Sequence, residues 1–300
     1  MRGTARRPSL YLSSALPLLT GIASLAPRYD ALLCDVWGVI HNGVTAYPAA
    51  VDALRHLRAD GKAIVLITNA PRPGTVIETQ IEQFKVPRDC YDTIVASGDV
   101  ARDELRRHPG ARVFHLGPER DLPNYDGLDL TLVDFDAADV VVCTGFFNDD
   151  VETPDDYRDM LAQIRTRGLP FICANPDIVV ERGDRLIWCA GALARAYEEI
   201  GGTAVYAGKP HAPIYDLALR RAAEIRGAPV EKSRVLAIGD GVRTDLKGAV
   251  LQGFDCVFVA DGIHAAELDL DHGATDVRAA AHVFAEAGGL PVAVIRRLAW

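Results

Sequence analysis

Four short apolar runs in this 300-residue chain end on residues able to handle a phosphate. "LLC" leads into Asp35, "IVLI" into Thr68 and Asn69, "AVYAG" into Lys209, and "VLAIG" into Asp240, with Asp245 five positions on. A carboxylate at the end of a buried strand is costly unless something pairs with it. Taken singly, each of these residues can be a satisfied strand-end polar group. Together, three acids, a hydroxyl and a lysine suit a divalent cation among the carboxylates and a phosphate held by hydroxyl and ammonium. That is equipment for phosphoryl transfer to a carboxylate nucleophile.

The elements that must position them alternate along nearly the whole chain. Strands are expected at 31–36 and 62–67, then at "ARVFHL", "ADVVVC", "LPFICA", "TAVYA", "RVLAIG" and "DCVFVA". Between them lie helical patterns such as "AAVDALRHLRADG", with Val51, Leu54 and Leu57 on one face and Gly61 as its stop. In "TPDDYRDMLAQIRTRG", Thr153 is the expected N-cap, Pro154 the first helical residue and Asp156 the acid of a capping-box-like pattern. Continuous apolar strands separated by amphipathic helices predict a doubly wound parallel α/β sheet covered on both faces. Ligands bind such sheets beyond the carboxyl ends of the strands, where these polar residues fall.

Composition narrows the partners. Apolar residues make up 49% and charged residues 24% of the chain, a globular profile. A net charge of −9 argues against nucleic acid, and no run reaches the ~18–20 apolar residues of a membrane span. Of the six cysteines, Cys34, Cys143, Cys173 and Cys256 fall in apolar runs and read as reduced core thiols rather than a disulfide framework. The start, "MRGTARRPS" followed by "LYLSSALPLLTGIASLA", imitates a signal peptide. Pro17, Thr20 and Gly21 interrupt it, and "TGIASLAPRYD" also reads as a short helix entering the first strand, so a cytoplasmic protein is expected.

The motifs, taken in order, resemble the haloacid dehalogenase superfamily of hydrolases in its NagD-like branch of sugar and nucleotide phosphatases. "DVWGV", "ITN", "GKP" and "GDGVRTD" match its four motifs, and the resemblance covers residues 28 to 265. It implies that Asp35 attacks phosphorus to form an aspartyl-phosphate. It further implies Mg²⁺ held by Asp35, the Trp37 carbonyl and Asp240, with Asp245 binding or orienting the metal shell. Thr68 and the backbone at Asn69 would hold phosphate oxygens, and Lys209 would offset charge. The roughly 140 residues between Asn69 and Lys209 are too many for a loop. They are expected to form an inserted α/β cap over 87–202, leaving 1–86 and 203–300 as the catalytic core. "CANPD" resembles a cap loop that reaches the substrate, giving Asn175 and Asp177 a selectivity role; an Asx-Pro turn is the other reading. The partners expected are a small phosphorylated substrate and, as one option, a second copy of the chain in a homodimer; the sequence is silent on oligomeric state.

One position departs from the family. Where its phosphatases carry an aspartate that protonates the leaving oxygen and then activates water, this chain has Trp37. Indole donates a hydrogen bond but has no usable acidity. A phosphatase for good leaving groups, or one recruiting another acid such as His41, is therefore expected, with a non-catalytic metal- and phosphate-binding module as the alternative. A true dehalogenase would leave the metal acids without a purpose. Arg72 could touch a phosphate or cover surface. His211 reads as the first turn of a helix, His264 as outside the site, and Trp188 as cap core.

Overall fold

The computed structural model describes residues 16–182, 185–268 and 282–300. The first fifteen residues, on which the signal-peptide reading rests, lie outside it.

Two parallel sheets organise the chain. The first joins β1 (Leu18–Leu19), β2 (Ala31–Cys34), β3 (Ala63–Thr68) and β4 (Thr93–Ala96), with α1 (Pro48–Ala59) and α2 (Gly74–Gln83) as connections. After α3 (Ser97–Leu105), the second sheet takes β5 (Ala111–Leu116), β6 (Leu130–Leu132), β7 (Val140–Cys143), α4 (Arg158–Arg167) and β8 (Phe171–Cys173). A hairpin, β9 (Val179–Arg182) and β10 (Arg185–Trp188), precedes α5 (Ala190–Glu199) and β11 (Ala204–Tyr206). The chain then returns to the first sheet through α6 (Ala212–Arg226), β12 (Val235–Gly239), α7 (Lys247–Gln252), β13 (Asp255–Val259) and β14 (Ala293–Ile295).

The seven-stranded order is β1-β14-β13-β12-β2-β3-β4 and the five-stranded order β11-β8-β7-β5-β6, with every pairing in both sheets parallel. Strand sides alternate as a doubly covered sheet requires. Ala31 and Leu33 join the hydrophobic cluster on one face, Leu32 and Cys34 that on the other. The first of these clusters continues into the second sheet through Val113, Val140, Val142 and Ile172, so apolar packing crosses between the sheets.

The expected cap boundaries are displaced at both ends. Thr93–Ala96 pairs with Val65–Thr68 as the edge of the first sheet, so residues 87–96 belong there rather than to the insertion. Ala204–Tyr206 pairs with Phe171–Cys173, so the second sheet runs past 202 to Tyr206. A short apolar strand looks the same from either side of a boundary; its hydrogen-bonding neighbour decides. The Thr153 cap forms, its N–H donating to Asp156 at 2.8 Å, but the first turn is a 3₁₀ segment before α4. Trp188 is 38% exposed on the hairpin instead of buried in the cap. All six cysteines are buried free thiols.

Candidate active site

Strand register brings the reactive residues together. Ile238 of β12 stands opposite Cys34 of β2, and Leu66 of β3 opposite Cys34 on its other side. Asp35, Asp240 and Thr68 therefore leave three adjacent strands at nearly the same height. Because β2 has β3 on one side and β12 on the other, this is where connections diverge and a crevice opens.

The nucleophile loop turns sharply. The Asp35 N–H continues the ladder to the Ile238 carbonyl at 2.8 Å, and Gly38, at φ +76°, lets its own N–H reach the His41 carbonyl at 2.9 Å. A Cβ on Gly38 would lie 2.2 Å from Asp240 Oδ2, so the Trp37–Gly38 backbone passes against the carboxylates only because no side chain is there. On the fourth side, residues Val242–Leu246 form a wide π-type turn that swings Asp245 inward. Its carboxylate accepts the Gly241 N–H at 3.2 Å.

Lys209 sits between the acids. Its buried Nζ lies 2.7 Å from Asp35 Oδ1 and 2.7 Å from Asp245 Oδ1. Asp35, Asp240 and Asp245 each offer an oxygen, all within 4.8 Å of one another. Burial, and then the Asp245 charge, push Asp35 well above the ordinary carboxylate range. The same two causes carry Asp240 from 3.8 to about 7, against a hydrogen bond from the Ile263 N–H at 3.0 Å. Burial alone would lower Lys209, but Asp245 and Asp35 hold it well above its ordinary value. Three crowded carboxylates against one ammonium leave the cluster short of positive charge. An all-oxygen donor set of this kind fits a hard divalent cation.

Asn69 spends its side chain on the scaffold. Its Oδ1 accepts the Lys209 N–H at 2.7 Å, while Nδ2 donates to the Lys209 carbonyl at 3.1 Å and to Asp177 Oδ1 at 2.8 Å. Gly208 makes room, since a Cβ there would meet Asn69 Oδ1 at 2.4 Å and Pro176 Cδ at 2.6 Å. Thr68 Oγ1 accepts the Ala70 N–H at 3.2 Å, which shapes the loop below it. The Asx-turn reading of the "CANPD" loop is met by its geometry. Asn175 Oδ1 accepts the Asp177 N–H at 3.1 Å in an Asx turn, and Asp177 reaches across to the first sheet.

His41 does not meet the requirements of a replacement acid. It is 2% exposed, edge-on to Trp37 at 5.3 Å and packed on Phe84 at 4.8 Å. Burial lowers it to about 4, and its Nδ1 accepts the Gly43 N–H at 2.9 Å, so the ring is neutral. Trp37 above it is 46% exposed. Arg72 takes neither expected role, since its guanidinium turns to Gln80 and Asp121. His264 is nearer than the sequence suggested, its Nε2 accepting the Val242 N–H at 3.4 Å. The backbone support that Ile263 gives Asp240 went unread, because only a Gly after Asp261 marked that turn.

This fold and site define a hydrolase of the haloacid dehalogenase class. Residues 32–131 match the haloacid dehalogenase-like hydrolase family and residues 206–287 a second, HAD-hydrolase-like family, together more than half of the chain. A solved haloacid dehalogenase-like hydrolase from Brucella suis 1330 is 49% identical, with a TM-score of 0.81 over 94% of this chain and 100% of that one. The ribonucleotide monophosphatase NagD of Escherichia coli K12 is 26% identical over 246 residues, 80% of this chain and 90% of its own length. The acid sugar phosphatase of Staphylococcus aureus USA300 is 26% identical over 245 residues, again 80% and 90%. The chain belongs to the haloacid dehalogenase-like hydrolases, in their NagD-like branch.

Proposed function

We propose that the chain is a Mg²⁺-dependent phosphatase of small phosphorylated metabolites that works through an aspartyl-phosphate on Asp35. The observation that carries this reading is the placement of Lys209 Nζ 2.7 Å from both Asp35 and Asp245, with Asp240 in the same cluster. The names of the relatives support small phosphoric esters such as sugar phosphates and nucleotides, and Trp37 adds activated phosphates to that class.

An Asp35 carboxylate oxygen attacks phosphorus, the bond to the leaving oxygen breaks, and water later attacks the aspartyl-phosphate, releasing phosphate and restoring the carboxylate. Asp35, Asp240, Asp245 and the Trp37 carbonyl would hold Mg²⁺, which supplies charge stabilisation for the phosphoryl oxygens. Lys209 favours the ionised form of the nucleophile and faces the incoming phosphoryl charge. Thr68 and the backbone at Asn69 receive phosphate oxygens, and Asp177 and Asn175 bound the substrate from the second sheet. With Trp37 at the general-acid position and His41 neutral beneath it, that position supplies no proton donor, so substrates whose leaving group departs as an anion are favoured.

Phosphate release from p-nitrophenyl phosphate should require Mg²⁺, stop with chelator, and stop in Asp35→Asn while that variant stays folded. Vanadate binding with no release from any of a panel of sugar phosphates, nucleotides and acyl phosphates would leave a binding module instead.

A further inference from the structure

The four residues that follow Thr68 are gripped by the second sheet along a polar seam. At the start of the seam the Asn69 amide donates to Asp177 at 2.8 Å. Two residues on, the Pro71 carbonyl accepts from the Asn124 amide. Arg72 then sets Nε 3.5 Å from Asp121 Oδ1 and donates through Nη2 to Gln80 at 2.8 Å. From the other side, Arg102 of α3 donates to the carbonyls of Asn124 and Asp126 at 2.8 Å each. The turn after β5 is thus held between two arginines of the first sheet's helices and loops, and pressed on the segment that carries Asn69.

This seam is poorly suited to being mere glue. Asp121 and Asn124 are buried, at 2% and 0% exposure, yet Asp121 Oδ1, Asn124 Oδ1 and Arg72 Nε lack a well-formed hydrogen bond. Burial pushes the Asp121 carboxyl up and the Arg72 guanidinium down, despite their mutual attraction. A buried ion pair commonly holds no better than apolar residues of the same size, and a half-satisfied polar group costs stability. What a charged pair does add is register, because only one placement of the two loops lets the charges meet.

The geometry points to Arg72 and Asp121 as positioning residues that set the phosphate-binding end of β3, acting through Pro71 and Asn69. Docking of the second sheet is read directly at the phosphate subsite. This rests on the reading of Thr68 and Asn69 as phosphate contacts.

The test is orthovanadate affinity, measured by calorimetry with Mg²⁺ on the full chain, for the wild type, Arg72→Leu, Asp121→Leu and the double variant. Either single variant leaves a buried charge unpaired and risks misfolding; the double leaves none and decides the matter if the singles fail. Vanadate should bind the double variant about tenfold more weakly than wild type, and each folded single no more weakly than the double, because the pair and not either residue alone sets the register. Stabilisation by Mg²⁺ should be the same throughout, since no metal acid is touched. Undiminished vanadate affinity in the double variant would overturn this proposal alone. No vanadate binding by the wild type would overturn the phosphate reading of Thr68 and Asn69, and this proposal with it.

Discussion

The stability that the metal-free wild type holds relative to Asp240→Asn should shrink as the pH rises from 5 to 8. Burial and the neighbouring Asp245 carry the Asp240 carboxyl from 3.8 to about 7. An acid held above its unfolded value binds its proton more tightly in the folded state, so the contribution of Asp240 falls as pH climbs from about 4 to about 7 and is level beyond. The full loss is about 4 kcal/mol at about 1.36 kcal/mol per tenfold, of which about 3 kcal/mol lies between pH 5 and 8. Unfolding a chain of this length carries about 0.6 kcal/mol per kelvin of entropy, so the difference in melting temperature between wild type and Asp240→Asn should shift by about 5 °C. Mg²⁺ at about a hundred times its dissociation constant adds about 2.7 kcal/mol, or about 4 °C, and does so at pH 8 more than at pH 5 because it competes with the proton. Differential scanning calorimetry of wild type and Asp240→Asn, with chelator and with saturating Mg²⁺, reads both effects. A wild-type-minus-variant difference equal at pH 5 and 8, or equal stabilisation of Asp240→Asn by Mg²⁺, would refute the acid cluster as a cation site.

The missing acid makes two further outcomes measurable. A positioned general acid is worth about 10²–10⁴ in rate, so nitrophenyl and acyl phosphates should outrun alkyl phosphates by about that margin in kcat/KM. Trp37→Asp should narrow the gap by raising alkyl-phosphate turnover, and a wild type already fast on alkyl phosphates would show that another group supplies the proton. His41→Ala should keep turnover within about fivefold while losing about 2 kcal/mol of stability, since it empties a buried site under Trp37 and beside Phe84. A hundredfold loss of turnover with an intact Mg²⁺ response would make His41 the proton donor after all.

Much of the site was legible because its chemistry is tied to strand ends. Asp35, Thr68, Lys209 and Asp240 each follow an apolar run, and a run of that kind announces its own end. Less legible were the elements without a strong pattern. Leu18–Leu19 and Ala293–Ile295 are too short to read, yet they pair with each other at one edge of the first sheet. The Val179–Arg182 and Arg185–Trp188 hairpin went unread although Val179, Val180, Leu186, Ile187 and Trp188 are apolar, because each strand is only four residues long and antiparallel pairing with the other defines it.

The sequence alone determined the residue types, their order and the alternation of apolar strands with amphipathic helices, because these follow from local side-chain chemistry and period. The missing acid at Trp37 was visible only against the family's motif, which the resemblance supplied. Tertiary structure decided which strands are neighbours, and so that Asp35 shares one cluster around Lys209 with Asp240 and Asp245, some two hundred residues further on. Only the fold could show that His41 is buried and neutral, and that Arg72 faces Asp121 instead of the site. Burial and the distance between charges belong to pairs of residues far apart along the chain, and no local pattern carries them.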